Sequence, residues 1–250
     1  MGPQRLLSVL DDAAIAVRRA LDGLDAARRR ERTDVPGQYL LDVEADAAAL
    51  PVLLGAGLRV LSEESGLQGD ATAAHTVVVD PVDGSTNCAR DIAYYATSMC
   101  VLDADGPLVA LVLNQATGSR TVAQRDAGAF RDGVRLHASR VTRVEESVVA
   151  LSGIPGRVLP WRQHRTLGSV ALTLCEVAAG GIDGYADLGA WHAPWDYLGA
   201  ALACAESGAT VADVRGAPLA VVDGVARRQL LAAGTPELLD ALRPVAEAGG

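Results

Sequence analysis

The chain has 250 residues, half of them hydrophobic, and a net charge of −9. That length supports one large domain or two small ones with a core that needs no staples, and the acidic balance is the wrong sign for a nucleic-acid binder. All 22 basic residues are arginine, so P-loop, Schiff-base, pyridoxal-phosphate and kinase chemistry, each of which needs a lysine, are excluded.

Leu6, Leu10, Ala13, Val17, Leu21 and Leu24 recur at helical spacing and predict a first helix over about 4–30. Its start meets acids too early for a secretory signal. Arg28, Arg29 and Arg30 close it as a solvated face that suits a helix C-terminus. An acidic segment and then LPVLLGAGLRVL lead through a helix end and a loop into a strand, followed by SEESG at 62–66. HTVVVD reads as a buried strand. YYATSMCVL and LVALVLN form a hairpin about the turn DADGP, and RTVAQRDAGAFRDGVRL gives further antiparallel strands. The pattern changes near residue 140: SVVALSG is a strand, TLGSVALTLCEVAAGG and PWDYLGAALACAESGA are helices, ATVADVRG and RQLLAAG are strands, and PELLDALRPVAEA is a last helix. Two intimate subdomains, 1–140 and 141–250, are expected, with a cleft between them suited to a small ligand.

No run approaches the ~18 apolar residues of a membrane span. Cysteines 88, 100, 175 and 204 are too dispersed for a zinc knuckle or a CxxC pair and read as free thiols. A cytoplasmic protein is expected.

The stretch VVVDPVDGSTN, residues 77–87, is the most informative. A core strand delivers Asp80 and Asp83 to one place and follows them with Gly84, Ser85 and Thr86. Paired carboxylates resist burial unless a positive charge lies between them. Oxygen ligands at this density suit a hard cation such as Mg²⁺, and a helix beginning after Asp83 would aim its N–H groups at an anion. Glu63 and Glu64 upstream, and Asp196 beside Trp195 at a predicted helix start, complete the candidate set.

The order SEESG, DPVDGSTN, WDYLGA resembles the inositol monophosphatase family of Mg²⁺-dependent, lithium-sensitive phosphatases, over nearly the whole chain. The resemblance implies an α+β or α/β fold: a layered alternating helix–sheet sandwich of the sugar-phosphatase type, with an antiparallel N-terminal sheet and a C-terminal α/β half. It implies that Glu63, Asp80 and the Val82 carbonyl hold a first metal, that Asp80, Asp83 and Asp196 hold a second, and that two or three ions bind per site. Gly84, Ser85 and Thr86 would receive the phosphate, and Ser85 with Glu63 would orient or deprotonate the attacking water. By position, Gly168, Ser169 and Asp187, with Arg165, would meet the substrate together with Asp83 and Asp196. Trp191 and His192 are candidates for a wall of the pocket. The implied activity is hydrolysis of a small polyol or sugar phosphate such as myo-inositol 1-phosphate by a homodimer. The same chemistry on 3′-phosphoadenosine 5′-phosphate, fructose 1,6-bisphosphate, histidinol phosphate or a specialised sugar or cyclitol phosphate is the alternative, and a non-catalytic regulatory binding role is a further one. Ser85 stands where the family usually has Thr, Cys88 where it usually has Phe, and Leu41–Asp42–Val43–Glu44 where it has a T-D-x-D-like stretch.

Overall fold

A computed structural model describes residues 1–156, 159–189 and 192–248. Five layers alternate helix and sheet. The first layer is α1 (Pro3–Asp22) packed on α3 (Leu40–Gly55). The apolar stripe of α1 is buried as its spacing predicts, from Leu6 to Leu21. The helix does not run to residue 30. It stops at Gly23, and the Asp25 carboxylate takes the N–H groups of Ala27 and Arg28 at 2.9 Å, starting a separate short helix, α2 (Ala26–Arg30). The acidic segment expected to precede a helix end is itself inside α3, which also tolerates Pro51.

The second layer is an eight-stranded sheet in the order β2-β1-β3-β4-β5-β6-β7-β8. Its strands are β1 (Arg59–Ser62), β2 (Gly66–Gln68), β3 (Thr76–Asp83), β4 (Ala96–Asp103), β5 (Gly106–Asn114), β6 (Arg120–Gln124), β7 (Gly128–Arg131) and β8 (Val134–Arg135). It is antiparallel apart from the β1–β3 pair. The predicted β4–β5 hairpin closes with Asp103 opposite Gly106, and the Asp103 carboxylate pairs with Arg125 at 2.6 Å, so this acidic turn needs no metal to explain it.

The third layer holds α5 (Val170–Ala178) and α6 (Pro194–Ser207). The fourth is a five-stranded sheet, β10-β9-β11-β13-β12, made of β9 (Val148–Ser152), β10 (Gln163–Arg165), β11 (Gly184–Asp187), β12 (Thr210–Asp213) and β13 (Leu230–Ala233). The last is α7 (Pro236–Ala248), which packs on β11 and β13. Three apolar cores fill the interfaces. The largest lies around α5 and α6 and reaches both sheets, so elements from both ends of the chain share it.

Two local features of this packing position the site. A bulge between Asp80 and Asp83 gives β3 one residue more than β4 has to oppose it: Asp80 faces Ser98, and Asp83 faces Ala96. In a regular strand, residues three apart point to opposite faces. Here Val78 packs in the middle-layer core while Val77, Val79 and Val82 pack against α1 and α3. The extra residue therefore returns Asp83 to the same face as Asp80. The Thr97 hydroxyl donates to the bulged Pro81 carbonyl at 2.8 Å, and Gln115 donates to that hydroxyl at 2.7 Å. The second feature is the approach of α6 at Gly199. A Cβ there would lie 2.9 Å from the Ser98 hydroxyl and 3.2 Å from the Met99 carbonyl. Asp196 lies one turn earlier on the same helix, so this close contact holds it beside Asp80. Gly199→Val is expected to force the helix off the sheet and to cost about 1–3 kcal/mol, read as a lowered midpoint in urea unfolding; an unchanged midpoint would contradict this packing.

Candidate active site

Three carboxylates meet at the junction of the first sheet and the middle layer. Glu63 comes from the turn after β1, Asp80 from β3 and Asp196 from the first turn of α6. One oxygen from each lies within 4.8 Å of the others. Asp80 is buried, Asp196 is partly open, and Glu63 is the most exposed of the three. Asp196 also does the ordinary work of an acid in a first helical turn, accepting the Ala193 N–H at 2.7 Å. Trp195 beside it is buried, as its cost of exposure led us to expect.

The charges are not balanced from within. Among the described residues, no arginine lies within ion-pair distance of Glu63, Asp80, Asp83 or Asp196. Although Glu63 as a residue is exposed, its carboxyl turns in among the other acids, and burial of that group first, then Asp196 and Glu64, pushes it up to about 8. Asp80 is driven well above the ordinary carboxylate range by burial and then by Glu63, Asp83 and Asp196. An all-oxygen cluster that must otherwise hold protons is the donor set a hard divalent cation prefers, and the residues present fit Mg²⁺.

Asp83 has a different employment. Ser169 donates its hydroxyl to the Asp83 carboxylate at 2.5 Å, and the N–H groups of Ala171 and Val170 donate at 2.7 and 3.3 Å. Asp83 thus ties β3 to the start of α5, and its carboxylate is not one of the three gathered within 4.8 Å. Burial outweighs these donors and raises it to about 6.

The turn after Asp83 is built to be tight. Gly84 has φ +91°, and a Cβ there would lie 3.1 Å from both the Gly168 and Tyr94 carbonyls. Asn87 clamps the same two segments, donating to Tyr94 at 2.8 Å and Leu167 at 2.9 Å. A short helix, α4 (Ser85–Ala89), begins directly after Gly84, and the first N–H groups of a helix have no intrahelical acceptor.

Two cavities flank the acids. The first, of about 260 Å³, is walled by Asp83, Gly168, Ser169, Thr173, His192 and Asp196. The second, of about 560 Å³, is walled by Asp42, Glu63, Glu64, Ser85, Trp195 and Arg227. Of the residues assigned to the substrate side, Gly168 and Ser169 line the first cavity together with His192. Arg165 does not. It sits on the exposed edge strand β10, with its guanidinium on Gln163 and the His164 carbonyl. Asp187 is completely buried and lines neither cavity; His192 Nε2, which faces it from the first cavity, is 3.6 Å from its Oδ2. Trp191 lies outside the described residues. Val82 has its side chain in the outer core, where the bulge puts it.

One residue beyond the sequence reading belongs to the site. Asp42 lines the larger cavity beside Ser85, and burial raises its carboxyl to about 7. The only sequence signal was the acid of the Leu41–Glu44 stretch, which is 43 positions from Ser85. His192 is tied in more closely than a wall residue requires: its Nε2 lies 2.9 Å from the Tyr185 hydroxyl and its Nδ1 3.4 Å from Asp196.

The sequence profile of the inositol monophosphatase family matches residues 54–247. The chain belongs to the inositol monophosphatase family. It is 30% identical over 230 residues to a fructose-1,6-bisphosphatase/inositol-1-monophosphatase of Thermococcus kodakarensis, covering 89% of this chain and 88% of that one. It is 29% identical over 240 residues to an inositol-1-monophosphatase of Mesorhizobium japonicum, covering 86% and 88%. The solved extragenic suppressor protein SuhB of Bartonella henselae superposes with a TM-score of 0.82 at 25% identity over 98% of this chain and all of the other. An inositol monophosphatase family member with these relatives is a phosphoric monoester hydrolase, and its layered α+β fold is the one its solved neighbours share.

The raised carboxyls fix the sign of a pH effect. Unfolded carboxyls titrate near ~4. Between there and the folded values of about 6 for Asp83, about 7 for Asp42 and about 8 for Glu63, the native state holds more protons than the unfolded state. Stability then falls as pH rises. His192, raised by Asp196 and Asp187 against its burial, adds the same sign. In chelator, the melting temperature is expected to drop from pH 5.5 to pH 8.5, and excess Mg²⁺ is expected to flatten the slope. A melting temperature that rises with pH in chelator would contradict the cluster.

Proposed function

We propose that the protein hydrolyses a small polyol or sugar phosphate, such as myo-inositol 1-phosphate, with Mg²⁺ as its cofactor. The observation that carries this reading is the convergence of Glu63, Asp80 and Asp196 within 4.8 Å with no cationic partner of their own among the described arginines. Glu63, Asp80, the Val82 carbonyl and Asp196 would hold the metal, with Asp83 alongside as both a β3–α5 tie and a candidate ligand. Mg²⁺ bound there supplies Lewis acidity, lowering the pKa of a water and offsetting charge on the phosphoryl group.

The remaining work falls to the chain. The Ser85 hydroxyl, which lines the larger cavity with Asp42, orients a water beside Glu63. The backbone N–H groups at Gly84, Ser85 and Thr86 face the phosphoryl oxygens at the start of α4. Gly168, Ser169, His192 and Asp196 border the smaller cavity, which suits a compact hydroxylated leaving group. Residues 1–140 supply most of the metal ligands and the phosphate turn, and residues 141–250 supply the leaving-group wall and Asp196. Asp187 and Arg165 act on the substrate only if it displaces His192 or reaches the β10 edge.

The second reading keeps the chemistry and changes the ester. The Thermococcus relative is named for both a bisphosphatase and a monophosphatase activity, so fructose 1,6-bisphosphate belongs in any substrate panel. A regulatory role, suggested by relatives named Nus factor SuhB, is disfavoured by the acid cluster, which only destabilises a protein that binds no cation. The four cysteines are free and buried, and among the described residues no helix is long and apolar enough to cross a membrane. Both fit a cytoplasmic enzyme, and a homodimer is the assembly we propose from the family.

Phosphate release from inositol, sugar, nucleotide and histidinol phosphates, with Mg²⁺ and with chelator, tests the reading. Mg²⁺-dependent turnover is expected, with Asp80→Asn and Asp196→Asn each lowering kcat/KM by roughly a thousandfold while far-ultraviolet dichroism is kept. Full activity in either variant would overturn the assignment.

A further inference from the structure

The arginine run that sequence patterning reads as a solvated helix end is not spent on solvent alone. Arg30 and Arg32, from the end of α2 and just beyond it, and Arg90, from just after α4, wall a third cavity of about 410 Å³ with Tyr39 and Ala89. Their neighbours in the run find carboxylates: Arg28 pairs with Glu44 at 3.2 Å and Arg29 with Asp91 at 3.4 Å. The three that face the cavity do not. Among the described residues, none of them forms an ion pair.

Two of them are nevertheless positioned. Arg30 Nε donates to the Ala89 carbonyl at 3.0 Å. Arg32 lies over the Tyr39 ring, 3.5 Å from its centroid, and donates to the Tyr39 hydroxyl at 2.7 Å and the Gly37 carbonyl at 2.8 Å. Among the described residues, the Arg90 guanidinium has no hydrogen-bond or ion-pair partner. Three guanidiniums on one concave wall repel one another. The nearby acid Asp91 is taken by Arg29, and none of the three forms an ion pair with a described carboxylate, so their charge is available to an anion in the cavity. Guanidinium forks match tetrahedral oxyanions, and the remaining N–H groups of Arg30 and Arg90 are free to donate.

We propose that Arg30, Arg32 and Arg90 form a binding site for a phosphate-class dianion, separate from the acid cluster. The Tyr39 hydroxyl, 3.4 Å from the Thr86 hydroxyl, stands between this cavity and the turn at the start of α4. The dianion is either the second phosphate of a substrate that carries two or a separate phosphate compound. The site itself does not depend on the proposed phosphatase reaction.

Titration calorimetry of the full chain in chelator, with inorganic phosphate as probe, tests the site with the metal-dependent contacts silenced. Saturable binding is expected, weakening as salt rises and falling about tenfold in Arg90→Gln and in Arg30→Gln. Arg90→Gln removes no hydrogen bond or ion pair to a described residue and is expected to keep the native melting temperature. No binding, or equal binding in wild type and both variants, would overturn the proposal. Turnover with Mg²⁺ then identifies the source. A kcat/KM loss confined to a bisphosphate ester assigns the site to the substrate's second phosphate, and unchanged rates on both ester types assign it to a separate ligand. An equal loss on mono- and bisphosphate esters would put Arg90 in the reaction centre and overturn a separate site. Should no ester be hydrolysed at all, the calorimetry still decides the anion site.

Discussion

Carboxylates repel one another, and this chain nonetheless places Glu63, Asp80 and Asp196 within 4.8 Å, with Asp83 adjoining them. Among the described residues no arginine pairs with them, and only His192, 3.4 Å from Asp196, can offset any of their charge. Burial and mutual repulsion instead keep protons on groups that would be ionised at neutral pH if exposed. The arrangement is costly for the empty protein and favourable once a cation sits among the oxygens. Much of the surrounding architecture is best understood as holding these acids together against that cost.

The holding is done by packing and by neutral hydrogen bonds. The β3 bulge puts Asp80 and Asp83 on one face, and Thr97 and Gln115 brace it from the neighbouring strand and the β5 end. Gly199 lets α6 lie against β4, which fixes Asp196. Asp83 spends its own oxygens on Ser169 and the first N–H groups of α5, so the strand that carries the acids is tied directly to the helix that borders the small cavity. Asn87 repeats the link one turn later through Leu167 and Tyr94. The acid site and the leaving-group cavity are therefore coupled mechanically, although one comes largely from the first half of the chain and the other from the second.

The parts legible in the sequence are those whose signal is local. The hairpin about DADGP, the glycine-ended α6 and the apolar stripe of α1 follow from period and turn chemistry, and each forms as read. The acids of DPVDGSTN and WDYLGA are found because each motif is contiguous. What the sequence does not reveal depends on partners distant in the chain. Asp42 meets Ser85 only after α3 packs beside α4, and the same stretch read alone looks like a departure from the family. A strand pattern cannot announce its own bulge, so the division of labour between Asp80 and Asp83 is invisible until the register is known. Leu24 continues the apolar stripe of the first helix past its true end, which Gly23 and the Asp25 cap set. Arg165 and Asp187 were assigned by position, and the fold turns one outward along an edge strand and seals the other beneath His192.

The central claim is that the acid cluster is a divalent-cation site whose protons leave when the cation arrives. Titration calorimetry of Mg²⁺ into the metal-free protein, repeated in buffers of different ionisation enthalpy, measures both affinity and proton release. The account predicts saturable binding with net release of protons at pH 7, and loss of both in Asp80→Asn. Absence of binding at millimolar Mg²⁺, or binding with no proton released and no change in Asp80→Asn, would contradict it.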